Sequence, residues 1–478
     1  MDKYKKLMFN TLIFGISTFS SKLLVFFLMP YYTSVMSESE FGTANLIIVT
    51  ANMLAPLVSL GMANAAIRFG LDKEYDKRDV LSNCLKMFFV GAAVMLLLWL
   101  VGFQTPMKRA LGYESFTPYS ILVVVFVFMS SLRLICAQFV RSCEKVKLFA
   151  ADGLLSTALV IGFSILFLSR FNMGITGYVL AIIVADGISS AFLFAAGRLK
   201  KFIKFKKINP ATSKAMLIYA LPLIPTALFW SITNSSDQLV VSAFLGPAAN
   251  GLYAVSYKIP YAVTMVSEIF SNAWQMSAIL EKNSEDIESF FSKVFNMYQA
   301  LLFLCGSVLI AASKMIMKIL VSDEFYSAWT FIPVLVMATV FSCFVTFFGS
   351  IYVIEKNSKM SFITMAVGAG VNIVLNITLI MVMKSAQAVA IATFVSYFLV
   401  FIIRVAHTRK YVKVRFNCVI FILNMLILAV QSFLMIKEVP YWPVYEILLT
   451  VVVLALNGKF LLNAALKLLN RKTAANDL

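Results

Sequence analysis

The chain consists of long apolar runs separated by short polar loops. A helix needs roughly 20 apolar residues to cross a hydrocarbon core about 30 Å thick, and the runs reach that length. Because hydrocarbon offers no hydrogen-bond partners, each backbone amide must be bonded within its own segment, which favours helices. The runs lack the alternation over about ten residues that marks membrane β-strands. The pattern predicts about fourteen transmembrane helices, at residues 7–35, 41–66, 82–104, 117–141, 150–169, 177–197, 214–244, 252–277, 291–313, 328–353, 361–383, 386–404, 416–436 and 444–464.

The composition agrees with this pattern. Hydrophobic residues make up 61% of the chain and charged residues 13%, whereas about a quarter of a soluble domain is charged. The N-terminus is basic, as in a signal peptide, but the apolar run from Leu7 to Tyr32 is too long for one. No A-x-A cleavage site follows this run. We therefore expect an all-α integral membrane protein whose first helix is retained.

Charge and cysteine usage exclude several classes of protein. The net charge of +18 would suggest nucleic acid as the partner of a soluble protein. Here the basic residues lie in short loops between apolar runs, so membrane lipids explain them better and no nucleic acid is expected. Six cysteines without a CxxC pair and the single histidine, His407, make no zinc set. No metal is expected.

The loops also argue against an enzyme. None exceeds about seventeen residues, and no GxxxxGK[ST] phosphate loop is present, so neither a catalytic domain nor direct ATP coupling is expected. We expect a transporter without a cofactor, in which H+ or Na+ is the candidate coupling ion.

The distribution of basic residues predicts the orientation of the chain. Cytoplasmic loops are enriched in lysine and arginine. With a cytoplasmic N-terminus, 29 of the 41 lysines and arginines fall on the inner side, 7 fall in the outer loops and 5 lie elsewhere within helices. The 29 include Arg141, Lys214, Arg404 and Lys459, which lie toward the cytoplasmic ends of predicted helices. Both termini are therefore expected on the cytoplasmic side.

Sequence features recur at a near-constant spacing. Gly42 in SESEFGTANLI aligns with Gly251 in GPAANGLYAVSYKI, 209 residues later, and Glu144 aligns with Glu355, 211 residues later. Two halves of six helices would each start from the same side, which makes them parallel repeats. We predict two pseudo-symmetric six-helix lobes and two further C-terminal helices. The predicted parts are the N-terminal lobe 1–197, a basic cytoplasmic linker 198–213, the C-terminal lobe 214–407, and helices thirteen and fourteen with a cytoplasmic tail, 408–478.

Polar residues form stripes at helical spacing on predicted helices one, two, seven and eight. Equivalent helices of both lobes carry them, which favours a hydrophilic central cavity. Interhelical hydrogen bonding explains serine, threonine and asparagine equally well, so both interpretations stay open. The polar lining residues include Thr18, Asn45, Asn52, Thr233, Tyr261 and Asn272.

Cationic residues within the apolar runs are candidates for substrate binding, because a charge in the bilayer needs a function or a partner. An ammonium group is a compact charge suited to a phosphate, which makes Lys22 and Lys258 candidate ligands of an anionic group. Arg68, Arg133 and Arg141 lie near or toward the cytoplasmic ends of helices two and four. They either line a cytoplasmic opening or extend to lipid phosphates.

Three acidic residues within the apolar runs are candidates for ion coupling. Asp237, Glu268 and Asp186 are each able to bind a proton or a cation inside the membrane. An internal salt bridge between Asp237 and Lys258 is the competing interpretation.

Four segments resemble bacterial polysaccharide flippases of the Wzx type, in the superfamily that also contains multidrug exporters and peptidoglycan-precursor flippases. They are SDQLVVSAFLGPAANGLYAVSYKIP, AAIRFG, QFVRSCEKVKLFA and NIVLNITLIMVMKSAQAVAIAT. The resemblance implies two lobes in a V shape, alternating access, and export of an undecaprenyl-diphosphate-linked repeat unit across the bacterial cytoplasmic membrane. Its functional positions map to Arg68, Arg141, Asp237 and Lys258. QAVAIAT departs from the family's Gly-x-x-Gly-Ala-Ala, which implies a less flexible crossing.

The resemblance implies partners and leaves alternatives. The expected partners are the lipid-linked glycan, membrane lipids, and the polysaccharide polymerase and glycosyltransferases of the same pathway. A multidrug or cation antiporter would have fewer cations in its lining, and a peptidoglycan lipid-precursor flippase would share the fold. A membrane polymerase or ligase would need a large external loop, and the loops 105–116 and 314–327 are short.

Overall fold

The computed structural model is helical, and none of the residues that it describes lies in a strand. This confirms the predicted all-α fold class. Among these residues, ten helices are long and apolar enough to cross a membrane, and a shorter apolar helix follows them. The described residues are 26, 28–100, 119–204, 208–221, 223–268, 270, 287–355 and 357–458.

The helices are numbered in chain order, and each of the fourteen predicted segments overlaps at least one of them. They are α1 (Met29–Val35), α2 (Glu38–Val58), α3 (Met62–Leu71), α4 (Lys77–Leu98), α5 (Ser120–Ser142), α6 (Val146–Ile165), α7 (Gly174–Ala196), α8 (Pro210–Ala220), α9 (Leu223–Leu245), α10 (Pro247–Ser256), α11 (261–268), α12 (Ile287–Leu320), α13 (Ile332–Ile354), α14 (Ser358–Met383), α15 (Gln387–Thr408), α16 (Cys418–Ile436) and α17 (Trp442–Gly458).

The second predicted helix is interrupted between α2 and α3. Leu60 and Gly61 both have a left-handed backbone, with φ of 47° and 67°. Glycine adopts this conformation without strain, and a Cβ on Gly61 would lie 2.8 Å from the carbonyl oxygen of Ala220. The prediction of one continuous helix over 41–66 is therefore wrong, because the hydropathy pattern does not register a break of this length.

The eighth predicted helix is also interrupted. A turn at 257–260 separates α10 from α11. Proline lacks an amide hydrogen, and Pro260 lies in this turn. The prediction of one continuous helix over 252–277 is therefore wrong: Lys258 lies in the turn and Tyr261 begins the next helix.

The chain divides into two compact units, Met1–Gly251 and Leu252–Leu478. In the first unit α5 and α6 both pack on α7, and α2 packs on α5. In the second unit α15 packs on α13 and α14, and α16 packs on α12. The lobe boundaries predicted from the repeats concern symmetry, whereas these units are defined by compactness. The predicted boundaries therefore stay a prediction.

The basic linker is held on the start of α4. Lys204 Nζ lies 2.8 Å from Asp76 Oδ2 and 3.1 Å from Asp79 Oδ1, and Ser213 Oγ donates to Asn83 Oδ1 at 2.6 Å. The hydrogen bond from Lys204 lowers the pKa of Asp76 below its usual value, and Asp76 in turn raises the pKa of Lys204. Residues 198–213 therefore include a docked segment and not only a free connection.

Candidate functional site

Three charged side chains from α5, α6 and α7 meet inside the first unit. Arg133 Nη1 lies 2.9 Å from Asp186 Oδ1, and Arg133 Nη2 lies 3.1 Å from Asp152 Oδ2. Arg133 Nε donates to the same Asp152 oxygen at 3.3 Å. We call Arg133, Asp152 and Asp186 the ion cluster.

The ion cluster is enclosed by its three helices. Asp152 and Asp186 side chains are 3% and 8% exposed, and Arg133 is 26% exposed. Each residue sits in a helix that is long and apolar enough to qualify as a membrane span. The planar guanidinium presents donors in a fixed fork, which allows one arginine to bind two carboxylates on different helices.

The charges of the ion cluster do not balance. One guanidinium faces two carboxylates, and Asp152 Oδ1 has no hydrogen-bond partner among the described residues. The Ser189 hydroxyl lies beside Asp152, and its own oxygen is likewise buried without a hydrogen bond. A buried excess charge is costly, so a proton or a small cation would stabilise this arrangement. The same bonds also fasten three helices together.

Sequence reasoning predicted Asp186 as a coupling acid and Arg133 as a substrate ligand, and it missed Asp152. The structure places Arg133 in contact with both acids, so its guanidinium is engaged internally. A signal for Asp152 exists in the sequence: Asp152-Gly153 and Asp186-Gly187 are both Asp-Gly pairs within apolar runs. Asp152 was overlooked because the predicted helix begins only two residues before it.

The other two candidate arginines lie at the surface of the first unit. Arg68 forms an ion pair with Asp72 one turn later on the chain, at 3.1 Å, and its side chain is 58% exposed. Arg141 is exposed near the end of α5, with its guanidinium 6.0 Å from the centre of the Phe149 ring. Their exposure leaves both able to contact an anion, and the substrate-binding role stays a prediction.

Asn45, in the polar stripe on predicted helix two, makes an interhelical hydrogen bond. Asn45 Nδ2 donates to Gln238 Oε1, which joins α2 to α9. For Asn45 the interhelical interpretation therefore applies. Asn52, on the same helix, is exposed, and Asp237, next to Gln238, is completely buried.

The second unit holds the remaining described candidates. Lys258 is half-buried in the turn at 257–260, and among the described residues of this unit no acid pairs with it. Tyr261 is exposed at the start of α11, and Glu268 is exposed at the last residue of the described range 261–268. Asp237 belongs to the other unit, so its proposed pairing with Lys258 stays a prediction.

Four candidates cannot be placed. Lys22, Thr18 and Asn272 lie outside the described residues, and the side chain of Thr233 is not described. Among the described residues, no three histidine, cysteine, aspartate or glutamate side chains could hold a metal ion together.

Sequence reasoning also missed a buried arginine in the second unit. Arg404 of α15 donates to Thr364 Oγ1 at 3.0 Å and to the backbone carbonyls of Val345 at 2.6 Å and Ser361 at 3.3 Å. Gly349 leaves the space that the guanidinium occupies, since a Cβ there would clash with Arg404. Arg404 lies at the predicted end of helix twelve, where an arginine is expected to reach water, so its pattern gave no signal.

The described part of the chain has ten helices able to cross a membrane, and charged side chains are bonded between them, which indicates a multi-pass membrane protein. The chain belongs to the family described as polysaccharide biosynthesis protein, whose family model matches residues 7–279. The resemblance stated from the sequence is thereby confirmed at the level of the family. No curated protein matches the sequence significantly.

Solved structures share the fold at low sequence identity. The chain is similar to the lipid II flippase MurJ in an inward closed conformation, with a TM-score of 0.71 and 15% identity over 95% of this chain and 100% of that chain. It is also similar to an inward-facing multidrug resistance MATE family transporter of the MOP superfamily, with a TM-score of 0.63 and 13% identity over 82% of this chain and 95% of that chain. A mutant form of the Vibrio cholerae MATE transporter VcmN gives a TM-score of 0.56 and 14% identity over 84% of this chain and 98% of that chain.

Proposed function

We propose that the protein is a flippase that moves undecaprenyl-diphosphate-linked oligosaccharide repeat units across the bacterial cytoplasmic membrane by alternating access. The observation that carries this proposal is the family match over residues 7–279. A family of polysaccharide biosynthesis proteins built as membrane-spanning bundles is suited to moving the intermediates of that synthesis. The protein is then a transporter and not an enzyme.

The extent of the fold supports a lipid-linked substrate. The lipid II flippase aligns with 95% of this chain, whereas the two MATE transporters align with 82% and 84%. More of this chain is therefore shared with a transporter of a lipid-linked glycan than with the drug transporters. This favours the flippase over the multidrug antiporter.

We propose that Lys258 binds the diphosphate. Its side chain is half-buried, and no acidic residue in the described part of its own unit forms an ion pair with it. An ammonium group without a counter-charge is costly inside a membrane. A diphosphate is common to all substrates of the proposed class, so the charge is needed whatever the sugar. Lys22 is proposed for the same role from the other lobe.

The ion cluster is proposed as the coupling site. The second carboxylate, which Arg133 does not neutralise, is able to bind H+ or Na+ and release it during the transport cycle. This moves the coupling proposal from Asp186 alone to Asp152 and Asp186 together. Asp237 and Glu268 remain the other candidates.

A peptidoglycan lipid-precursor flippase is the second candidate function. The observation that favours it is the TM-score of 0.71 to the lipid II flippase. Both substrates join a glycan to a lipid through a diphosphate, so the anion-binding proposal holds for either. The two candidates differ in the glycan.

Deleting the gene in its host tests the proposal. We expect surface polysaccharide to be lost and the undecaprenyl-diphosphate-linked repeat unit to accumulate on the cytoplasmic face, where an impermeant glycosidase cannot reach it. Lys258→Ala should reproduce the defect at normal protein levels, and Lys258→Arg should partly restore export. Loss of cell-wall synthesis with normal surface polysaccharide would instead identify the peptidoglycan precursor as the substrate.

The pairing of Lys258 with Asp237 has its own test. If they only neutralise each other, the double variant Asp237→Asn with Lys258→Gln should recover export, because no lone charge remains. Continued failure of the double variant supports substrate binding by Lys258.

A further inference from the structure

A buried carboxyl group lies between the two C-terminal helices and α12. Glu446, the fifth residue of α17, is 1% exposed. Neither of its carboxyl oxygens has a hydrogen-bond partner among the described residues. Gln431 of α16 bonds the backbone of Glu446 and the side chain of Thr450, and Thr450 in turn bonds Ser307 of α12. None of these residues belongs to the ion cluster.

The side-chain amide of Gln431 lies beside the Glu446 carboxyl group, but its hydrogen bonds go to other acceptors. Its Nε2 donates to Thr450 Oγ1 at 3.2 Å and to the backbone carbonyl of Glu446 at 3.4 Å, which uses both of its hydrogens. Gln431 Oε1 has no partner in the described part of the chain either. Three acceptor oxygens therefore lie buried in this region without a donor from the described residues.

No basic residue on the described helices α12, α16 or α17 forms an ion pair with Glu446. Helix α16 contains no charged residue, and Glu446 is the only one on α17. The nearest lysine toward this end of α12 is Lys314, whose ammonium forms an ion pair with Glu438. It also lies 3.9 Å and 4.6 Å from the ring centres of Trp329 and Trp442.

The other charged residues of these helices lie far from Glu446 along the helix axes. Helix α12 also carries Glu288 and Lys293 near its start and Lys318 near its end. The hydrogen bond of 2.9 Å between Thr450 and Ser307 shows which part of α12 lies beside this part of α17. Thr450 lies one helical turn after Glu446. Ser307 lies more than three turns from Lys293, and Lys318 lies beyond Lys314 along α12.

An ionised carboxylate in this environment would have neither a hydrogen bond nor a counter-charge from the described residues, and such burial is strongly disfavoured. A bound proton removes the charge and supplies the missing donor. We propose that Glu446 is a binding site for an exchangeable proton, separate from the ion cluster and independent of the proposed function.

The position of Glu446 gives the proton a short route. Glu446 lies about 6 Å along the helix axis from Trp442, at the end of α17 that Lys314, Glu438 and the two tryptophans cover. Separation of this end of α17 from α12 would open the carboxyl group to water. The proton is then released or taken up as the helices part and close.

Labelling with dicyclohexylcarbodiimide tests the proposal, because this apolar reagent modifies protonated carboxyl groups in apolar surroundings. The full-length protein in proteoliposomes is labelled between about pH 6 and pH 9, and the adduct on the Glu446 peptide is quantified by mass spectrometry. We expect labelling of Glu446 that falls several-fold across this range. Glu438, which is exposed and ion-paired, is the matched control and should stay unlabelled.

Each other outcome would overturn the proposal. No adduct at any pH would show that Glu446 stays charged, and constant labelling would show that Glu446 does not release its proton in this pH range. Protection by Na+ but not by K+ would identify a sodium site instead. The variant Glu446→Gln should lose a protonated-carboxyl band from the infrared spectrum at neutral pH, and an unchanged spectrum would also contradict the proposal.

Discussion

Asn250 Nδ2 donates a hydrogen bond of 2.9 Å to the backbone carbonyl oxygen of Gly42. The contact joins the starts of α2 and α10, which the predicted sequence repeat would align with each other. It is reciprocal, since a Cβ on Gly42 would lie 2.7 Å from Gly251 N and would clash with Pro247, and a Cβ on Gly251 would clash with Glu38. Glycine at both positions thus permits close contact between these two helix starts.

Replacing Gly42 with alanine should destabilise the protein. The added methyl group meets backbone atoms, which cannot rotate away, so we expect a loss of about 1–3 kcal/mol and a lower Tm in detergent. Gly162→Ala is the matched control, because nothing lies within 4 Å of the added Cβ. That variant should be neutral or slightly stabilising, since alanine favours a helix. Equal Tm values for both variants would show that the contact is not tight.

Removing Arg133 should destabilise the first unit strongly. Arg133→Met leaves two buried carboxylates without their cation, and breaking such a pair costs about 3–5 kcal/mol. Adding Asp152→Asn and Asp186→Asn removes all three charges and should restore the folded fraction, measured by gel filtration and thermal unfolding. Transport should remain absent in the triple variant, because no acid of the ion cluster is left to bind the coupling ion.

The exposed Arg141 on the same helix supplies the control for Arg133. Arg141→Met should change the Tm little. A triple variant as unstable as Arg133→Met alone would show that lost packing, and not unbalanced charge, caused the defect.

Hydropathy predicted the helices well because every segment that crosses the bilayer must be apolar over about the same length. The breaks at Leu60–Gly61 and 257–260 were missed, since each is short and leaves the average apolarity of the run unchanged. Long-range partners such as Asp152 for Arg133 depend on how three helices pack, which a linear pattern does not contain.

The sequence analysis did not single out Glu446, for a related reason. An acid near the end of a predicted span is expected to reach water, and only the packing of α12 and α16 shows that it is enclosed. The roles of Lys22 and Thr18 stay predictions, because they lie outside the described residues.

The docking of the linker should depend on pH only at the extremes. The pKa of Asp76 is lowered by Lys204, so its contribution is present at neutral pH and is lost as the pH falls below about 4. The raised pKa of Lys204 means that its contribution is lost only in strong alkali. A spin label at Lys201→Cys in a cysteine-free background should have constant mobility between about pH 5 and pH 9.

The same label separates this ion pair from other causes of order. Lys204→Met should make it mobile throughout that range, since the ammonium that binds Asp76 and Asp79 is gone. Unchanged mobility in this variant would show that Ser213 and the backbone hold the linker without Lys204.

Reporter fusions should place the C-terminus and the loop 437–443 on opposite sides of the membrane. The prediction follows from the excess of lysine and arginine in the inner segments, 29 against 7. A fusion at Leu478 should be active only with a cytoplasmic reporter, and one in the loop only with an external reporter. The same side for both would contradict an even number of spans.

Translocation by the purified protein tests the central claim most directly. Proteoliposomes are loaded with a fluorescent undecaprenyl-diphosphate-linked oligosaccharide in both leaflets, and an impermeant glycosidase is added outside. With the protein present, more than the half of the substrate that lies in the outer leaflet should be cleaved. With the Lys258→Ala variant, only that half should be cleaved. Cleavage that stops at the outer leaflet with folded wild-type protein, while lipid II or a cationic drug is moved under the same ion gradients, would contradict the account.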